Sequence, residues 1–146
     1  MSELDELYQG IILDHSRTPR HHGVLEPFDR KAEGYNPLCG DDVQVYLRLE
    51  GDTVADLRFS GQGCALSRAS ASLMCEHLKG FTLAAAQREI ERIIVLLSEA
   101  NSGLDITGLG DLVALTGVHK FPARIKCVTL CWHALDDALA VKPDSS

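Results

Sequence analysis

Val43-Gln44-Val45-Tyr46-Leu47-Arg48-Leu49-Glu50-Gly51-Asp52-Thr53-Val54-Ala55-Asp56-Leu57-Arg58-Phe59-Ser60 is the stretch that decides the fold. Val43, Val45, Leu47 and Leu49 alternate with Gln44, Tyr46, Arg48 and Glu50, the period of a half-buried strand. Ala55, Leu57 and Phe59 alternate with Asp56, Arg58 and Ser60 in a second strand, and Gly51-Asp52 between them signals a tight antiparallel hairpin. A two-residue turn pairing Glu50 with Thr53 would set apolar side chains opposite polar ones along the whole hairpin. A sheet with one buried face resists that. The alternation therefore predicts a register one step away, reached by a three-residue turn containing a glycine. Extended to the hairpin mouth, either such register brings Cys39 within one position of facing Cys64. A bulge at Gly61 or Gly63 would close the remaining offset. Two cysteines 25 residues apart are thus brought together by strand pairing alone.

Outward from the hairpin the pattern turns helical. Leu4, Leu7, Tyr8 and Ile11 predict an amphipathic helix over 3–15, ended by Ser16-Arg17-Thr18-Pro19-Arg20-His21-His22-Gly23. Residues 24–40 read as loop with room for a short edge strand, with turn signals at Gly34, Asn36-Pro37 and Gly40. After Cys64, the run Ala65 to Lys79 predicts a helix stopped at Gly80. Thr82 is placed to cap a further helix over 83–99. Gly108 and Gly110 flank a short apolar segment, Leu112 to Leu115. Pro122 opens a last helix to about Val141, with Ile125, Val128, Trp132, Leu135 and Leu139 as its core stripe. Lys126, Thr129, His133, Asp136 and Asp137 fall on its wet face. Helix, strands and then helices predict an α+β fold, with a small antiparallel sheet of about three strands packed against helices. The 146 residues read as one domain over 1–146, with 1–3 and 142–146 as frayed ends.

Composition narrows the function. A net charge of −7 gives no basic footprint, which argues against nucleic acid or an anionic membrane as partner. No apolar run approaches the roughly 20 residues needed to span a bilayer. The acidic start is the reverse of a secretory leader, so the expected location is cytoplasmic. Five cysteines, Cys39, Cys64, Cys75, Cys127 and Cys131, are many for such a chain, and an odd number does not read as a disulfide framework. Metal ligands, reactive thiols and small core residues are the readings left.

Geometry sorts the cysteines in part. Two thiolates on one zinc lie within roughly 4.6 Å of each other. Cys75 is eleven residues beyond Cys64 on one predicted helix. That is about 16 Å along the axis, so the two cannot share a metal. Cys127 and Cys131, one turn apart, both remain open as ligands. Asp41, two residues after Cys39 on an extended chain, points to the same side as that cysteine. It is read either as a carboxylate ligand or as a turn residue. His15 and His77 end predicted helices and read as caps, while His21, His22, His119 and His133 read as loop or surface residues. The H-x-E and P-C-x-x-C pattern of zinc deaminases and the C-x-x-C of thioredoxin-like proteins are both absent.

Three blocks carry a resemblance: Asn36-Pro37-Leu38-Cys39-Gly40-Asp41, Gly61-Gln62-Gly63-Cys64-Ala65-Leu66-Ser67 and Phe121-Pro122-Ala123-Arg124-Ile125-Lys126-Cys127. Together with Ile12-Leu13-Asp14-His15, Pro19-Arg20 and Gly23, they resemble the NifU, IscU and SufU family of iron–sulfur cluster assembly proteins. The resemblance runs from about residue 4 to 140 and is nearest to SufU. The IscU branch carries a Leu-Pro-Pro-Val-Lys segment and a histidine just before its third cysteine; here those places hold Lys120 to Arg124 and Lys126. The resemblance implies a SufE/NifU-like fold and a Zn2+ site of Cys39, Asp41, Cys64 and Cys127. It further implies that Cys39 accepts persulfide sulfur from a SufS-type cysteine desulfurase, for downstream iron–sulfur assembly proteins. Arg124 would then serve partner docking and ligand exchange, against the plainer reading of an exposed first-turn arginine. The alternative is an IscU-like scaffold holding a [2Fe–2S] cluster or iron on the same cysteines. A purely structural zinc domain is the third reading.

Overall fold

The computed structural model of the protein describes residues 3–37, 40–99, 103, 106 and 108–140, with backbone alone for 3–7. Helix α1 (Glu3–Arg17) is followed by strands β1 (Arg30–Asn36), β2 (Asp41–Glu50) and β3 (Thr53–Ser60). Helices α2 (Ala65–Leu78) and α3 (Leu83–Ser98) come next. Two 3₁₀ stretches, Gly110–Lys120 and Pro122–Arg124, lead into α4 (Ile125–Ala140). The three strands form one antiparallel sheet in the order β1-β2-β3. The fold is α+β, as expected.

The hairpin reaches its register by a different route from the one predicted. The turn has two residues, with Glu50 paired to Thr53 and Leu49 to Val54. The register then shifts between Arg48 and Leu49, so that Ala55 is left over and Leu47 faces Leu57 and Val45 faces Phe59. A bulge thus supplies the step that a three-residue turn was expected to supply. The shift puts apolar side chains opposite one another on the face that packs against the helices, where Val43, Val45, Leu47, Leu57 and Phe59 are all buried.

Helix α4 is the hub of the helical layer, touching β1, β2, α2 and α3. Trp132, fully buried on it, donates its indole N–H to Ser70 Oγ of α2 at 2.9 Å, and Ser70 in turn donates to Val128 O at 2.6 Å. Arg30 caps the other end of α4, its Nη1 lying 3.2 and 3.0 Å from the carbonyls of Ala138 and Leu139. Thr82 caps α3 as expected, its hydroxyl accepting from Ala85 N–H, whereas α2 is capped by Lys79, one residue before the expected Gly80, whose N–H donates to Val54 O at 2.8 Å instead.

Three local expectations are corrected. His15 is no surface cap: it is 3% exposed and its Nδ1 meets Ser72 Oγ at 2.8 Å, joining α1 to α2. Thr129 leaves the wet face and is buried, donating its hydroxyl to Ile125 O one turn back. The short apolar segment after Gly110 is an eleven-residue 3₁₀ stretch that buries Leu112, Ala114, Leu115 and Val118 and packs on α1, α2 and α3.

Candidate metal centre

Asp41 opens β2 on the same side as Val43 and Val45, and it is 1% exposed. Cys64 is the residue that caps the start of α2, in extended conformation and half-buried. Cys127 is buried in the first turn of α4. One ligand atom from each of Asp41, Cys64 and Cys127 lies within 4.8 Å of the others. The sheet mouth and the starts of two helices therefore converge on one point. Both helix N-termini present their partial positive charge to that point.

Asp41 and Cys64 are also tied directly. Asp41 Oδ1 accepts the Cys64 N–H at 2.9 Å, and Asp41 Oδ2 is 3.8 Å from Cys64 Sγ. Ligands on a tetrahedral zinc bonded at about 2.3 Å to sulfur and about 2.1 Å to oxygen stand roughly 3.6 Å apart. The observed spacing is already close to that. A borderline-soft ion that accepts sulfur and carboxylate oxygen alike suits two thiols and a carboxylate, and zinc is such an ion. A cation would neutralise the charge that two thiolates and a carboxylate would bring to this largely buried point. The donor set fits the implied metal.

The loop that delivers Cys64 leaves β3 without the bulge considered at Gly61. Asp42 N–H donates to Gln62 O at 2.7 Å, so the hairpin register simply continues past Ser60. Gly61 has φ +120°, and a Cβ there would overlap the Asp42 carbonyl. Only glycine lets the loop approach β2 so closely. At Gly63 a Cβ would stand 2.9 Å from Ser67 Oγ and 3.2 Å from Asp41 Oδ1.

The other sequence candidates separate cleanly. Cys39, expected as a fourth ligand and as the sulfur acceptor, lies outside the described residues. Cys75 is fully buried in the core, as its helical distance from Cys64 required, and burial above all pushes its thiol pKa well up. Cys131 is likewise a core residue, its Sγ 3.5 Å from Ser70 Oγ, with burial the main cause of a pKa pushed up to about 12. Between Cys127 and Cys131, the first is the one brought to the cluster. Arg124 is exposed at the end of the Pro122–Arg124 turn, its backbone N–H donating to Phe121 O at 2.8 Å. His119 Nε2 meets Leu96 O at 2.8 Å, away from the cluster. Sequence reasoning passed over Asp42, although its neighbours Gly61 and Gly63 were already singled out.

An α+β domain with a cysteine and carboxylate cluster at the hairpin mouth is thus the class that fold and site define. The NifU-like N-terminal domain family matches residues 7–128. The chain is 42% identical over 139 residues to the zinc-dependent sulfurtransferase SufU of Bacillus subtilis, covering 95% of this chain and 93% of that one. It is 36% identical to the iron–sulfur cluster assembly scaffold protein IscU of Streptococcus pyogenes, covering 95% and 86%. A crystal structure from Fervidobacterium islandicum, described as an iron–sulfur cluster assembly scaffold protein for the SUF system, superposes with a TM-score of 0.82 at 32% identity, covering 95% and 96%. The chain belongs to the NifU, IscU and SufU iron–sulfur cluster assembly family. Among the described residues no helix is long and apolar enough to cross a membrane.

Proposed function

We propose that this protein is a zinc-dependent sulfur-transfer protein that accepts persulfide sulfur from a SufS-type cysteine desulfurase for iron–sulfur cluster assembly in the cytoplasm. The observation that carries the reading is the convergence of Asp41, Cys64 and Cys127 within 4.8 Å, with Asp41 two residues downstream of Cys39 in the chain. Support comes from the Bacillus subtilis relative named a zinc-dependent sulfurtransferase.

In this reading Cys39, Asp41, Cys64 and Cys127 hold the ion. When bound, zinc would keep the thiols as thiolates near neutral pH and supply no redox chemistry of its own. The transfer belongs to Cys39. Its thiolate attacks the outer sulfur of the desulfurase persulfide, a new S–S bond forms at Cys39, and the desulfurase thiolate leaves. Oxidation state is conserved, because one persulfide replaces another. A ligated thiolate is a damped nucleophile, so Cys39 would attack only when it is not bound to the ion. Asp41, Cys64 and Cys127 would then be left to hold the ion. In this reading Arg124, exposed three residues before Cys127, meets the partner and assists that exchange.

The rival reading is a scaffold that assembles a [2Fe–2S] cluster on the same residues, and relatives named IscU scaffolds favour it. Lys126, exposed beside Cys127 where the scaffold branch has histidine, favours sulfur transfer. Metal analysis with an absorption spectrum of the purified protein separates the two. Colourless protein with stoichiometric zinc is expected; stoichiometric iron with visible bands would overturn the proposal.

A further inference from the structure

We infer that Asp42 is a positioning residue for the metal centre, fixing Cys64 by clamping the Gly61-Gln62-Gly63 loop to β2. The inference rests on the metal-site reading above. Asp42 faces away from the cluster, since neighbouring strand residues alternate and Asp41 faces into it. It grips Gln62 from both ends of its own residue. Its N–H donates to Gln62 O at 2.7 Å, and its Oδ1 accepts the Gln62 N–H at 3.3 Å. Gln62 is two residues from Cys64, and the chain between has no side chain with which to brace itself.

Asp42 is itself held in place. Gln44 Nε2 donates to the same Oδ1 at 3.2 Å, Ser60 Oγ donates to Gln44 Oε1 at 3.1 Å, and Tyr46 Oη meets Ser60 Oγ at 3.2 Å. Tyr46 is 5% exposed and packed edge-on against Phe28, so the chain of hydrogen bonds starts from a fixed point. The line runs along the outer face of the sheet and ends at the loop that carries a ligand. Gly61 completes the clamp from the loop side, because any Cβ there would overlap Asp42. Groups that orient ligands without touching the metal typically contribute 10- to 100-fold to metal affinity.

The test measures zinc affinity of the full chain by competition with a chromophoric chelator, alongside the cobalt-substituted absorption spectrum. Asp42→Ala should weaken zinc binding about tenfold and alter the thiolate-to-cobalt band. Asp42→Asn, which keeps the acceptor oxygen, should stay near wild type in both. Wild-type affinity and spectrum in Asp42→Ala would overturn the inference. An equal loss in Asp42→Asn would also overturn it, since charge and not the hydrogen bond would then be responsible. The melting temperature of the metal-free variants reads general stability separately; a large drop there with an unchanged cobalt spectrum counts against positioning. Cys64→Ser, run in parallel, tests the underlying site. If that variant binds zinc like wild type, the metal-site reading fails, whatever Asp42 does.

Discussion

Asp41 holds Cys64 with both of its oxygens, Oδ1 on the cysteine's backbone N–H at 2.9 Å and Oδ2 3.8 Å from its sulfur. One carboxylate therefore fixes the start of α2 and faces the thiol at the same time. Asp41→Asn separates the two roles, because the amide oxygen still accepts the N–H while the amide nitrogen cannot ligate a metal. The metal-free variant should unfold at nearly the wild-type denaturant concentration. Its zinc affinity, measured by chelator competition, should fall at least tenfold, in line with loss of a metal-bound donor.

The described thiols should divide by burial. Cys75 and Cys131 lie in the core with thiol pKa values pushed up by burial, that of Cys131 to about 12. Thiolate is the reactive form, so both should resist alkylation in the folded, metal-free protein at neutral pH. Half-buried Cys64 should react first among the described cysteines. Peptide mapping by mass spectrometry before and after unfolding checks this. Labelling of Cys131 in the folded chain would contradict it.

Gly61→Ala should damage both fold and site. Its φ of +120° is strained for any L side chain, and the new methyl would overlap the Asp42 carbonyl. A strained backbone position of this kind costs about 1–3 kcal/mol, readable as a lower denaturant midpoint. Zinc affinity should fall with it, since the loop that carries Cys64 must move outward.

The buried His15 predicts an acid-side loss of stability. Burial first, then the nearby Arg20 charge, lowers its pKa below the ordinary 6.5, while Glu76, Asp14 and Asp111 oppose this without reversing it. The unfolded chain therefore takes up this proton before the folded one does. Stability is complete above pH 6.5 and falls as the pH drops through that value towards the lower folded pKa. The denaturant midpoint of the metal-free protein should fall between about pH 7.5 and about pH 5.5, and less so in His15→Gln. An identical pH dependence in the variant would remove His15 from the account.

Much of this was legible in the residues, and for identifiable reasons. The alternation through Val43–Leu49 and Ala55–Phe59 demanded that Leu47 face an apolar residue, Ala55 or Leu57, and the sheet pairs it with Leu57. Helix rise alone removed Cys75 from the site. The alternation could not show how the register is reached, because a longer turn and a bulge at Ala55 give the same facing pairs. Cys127 and Cys131 share one helix face at neighbouring turns, so only the tilt of α4 against β2 and α2 separates them. His15 escaped because a basic residue in a last helical turn looks alike whether it meets water or Ser72. The 3₁₀ stretch over 110–120 has no helical period of apolar residues to announce it.

The central claim is that Cys39 receives sulfur beside the centre held by Asp41, Cys64 and Cys127. Its most direct test incubates the zinc-loaded protein with a SufS-type desulfurase and cysteine, followed by mass spectrometry of the intact chain and its peptides. The account predicts a mass increase of one sulfur atom, located on Cys39 and lost in Cys39→Ala. No added sulfur, or sulfur found only on another cysteine, would contradict it.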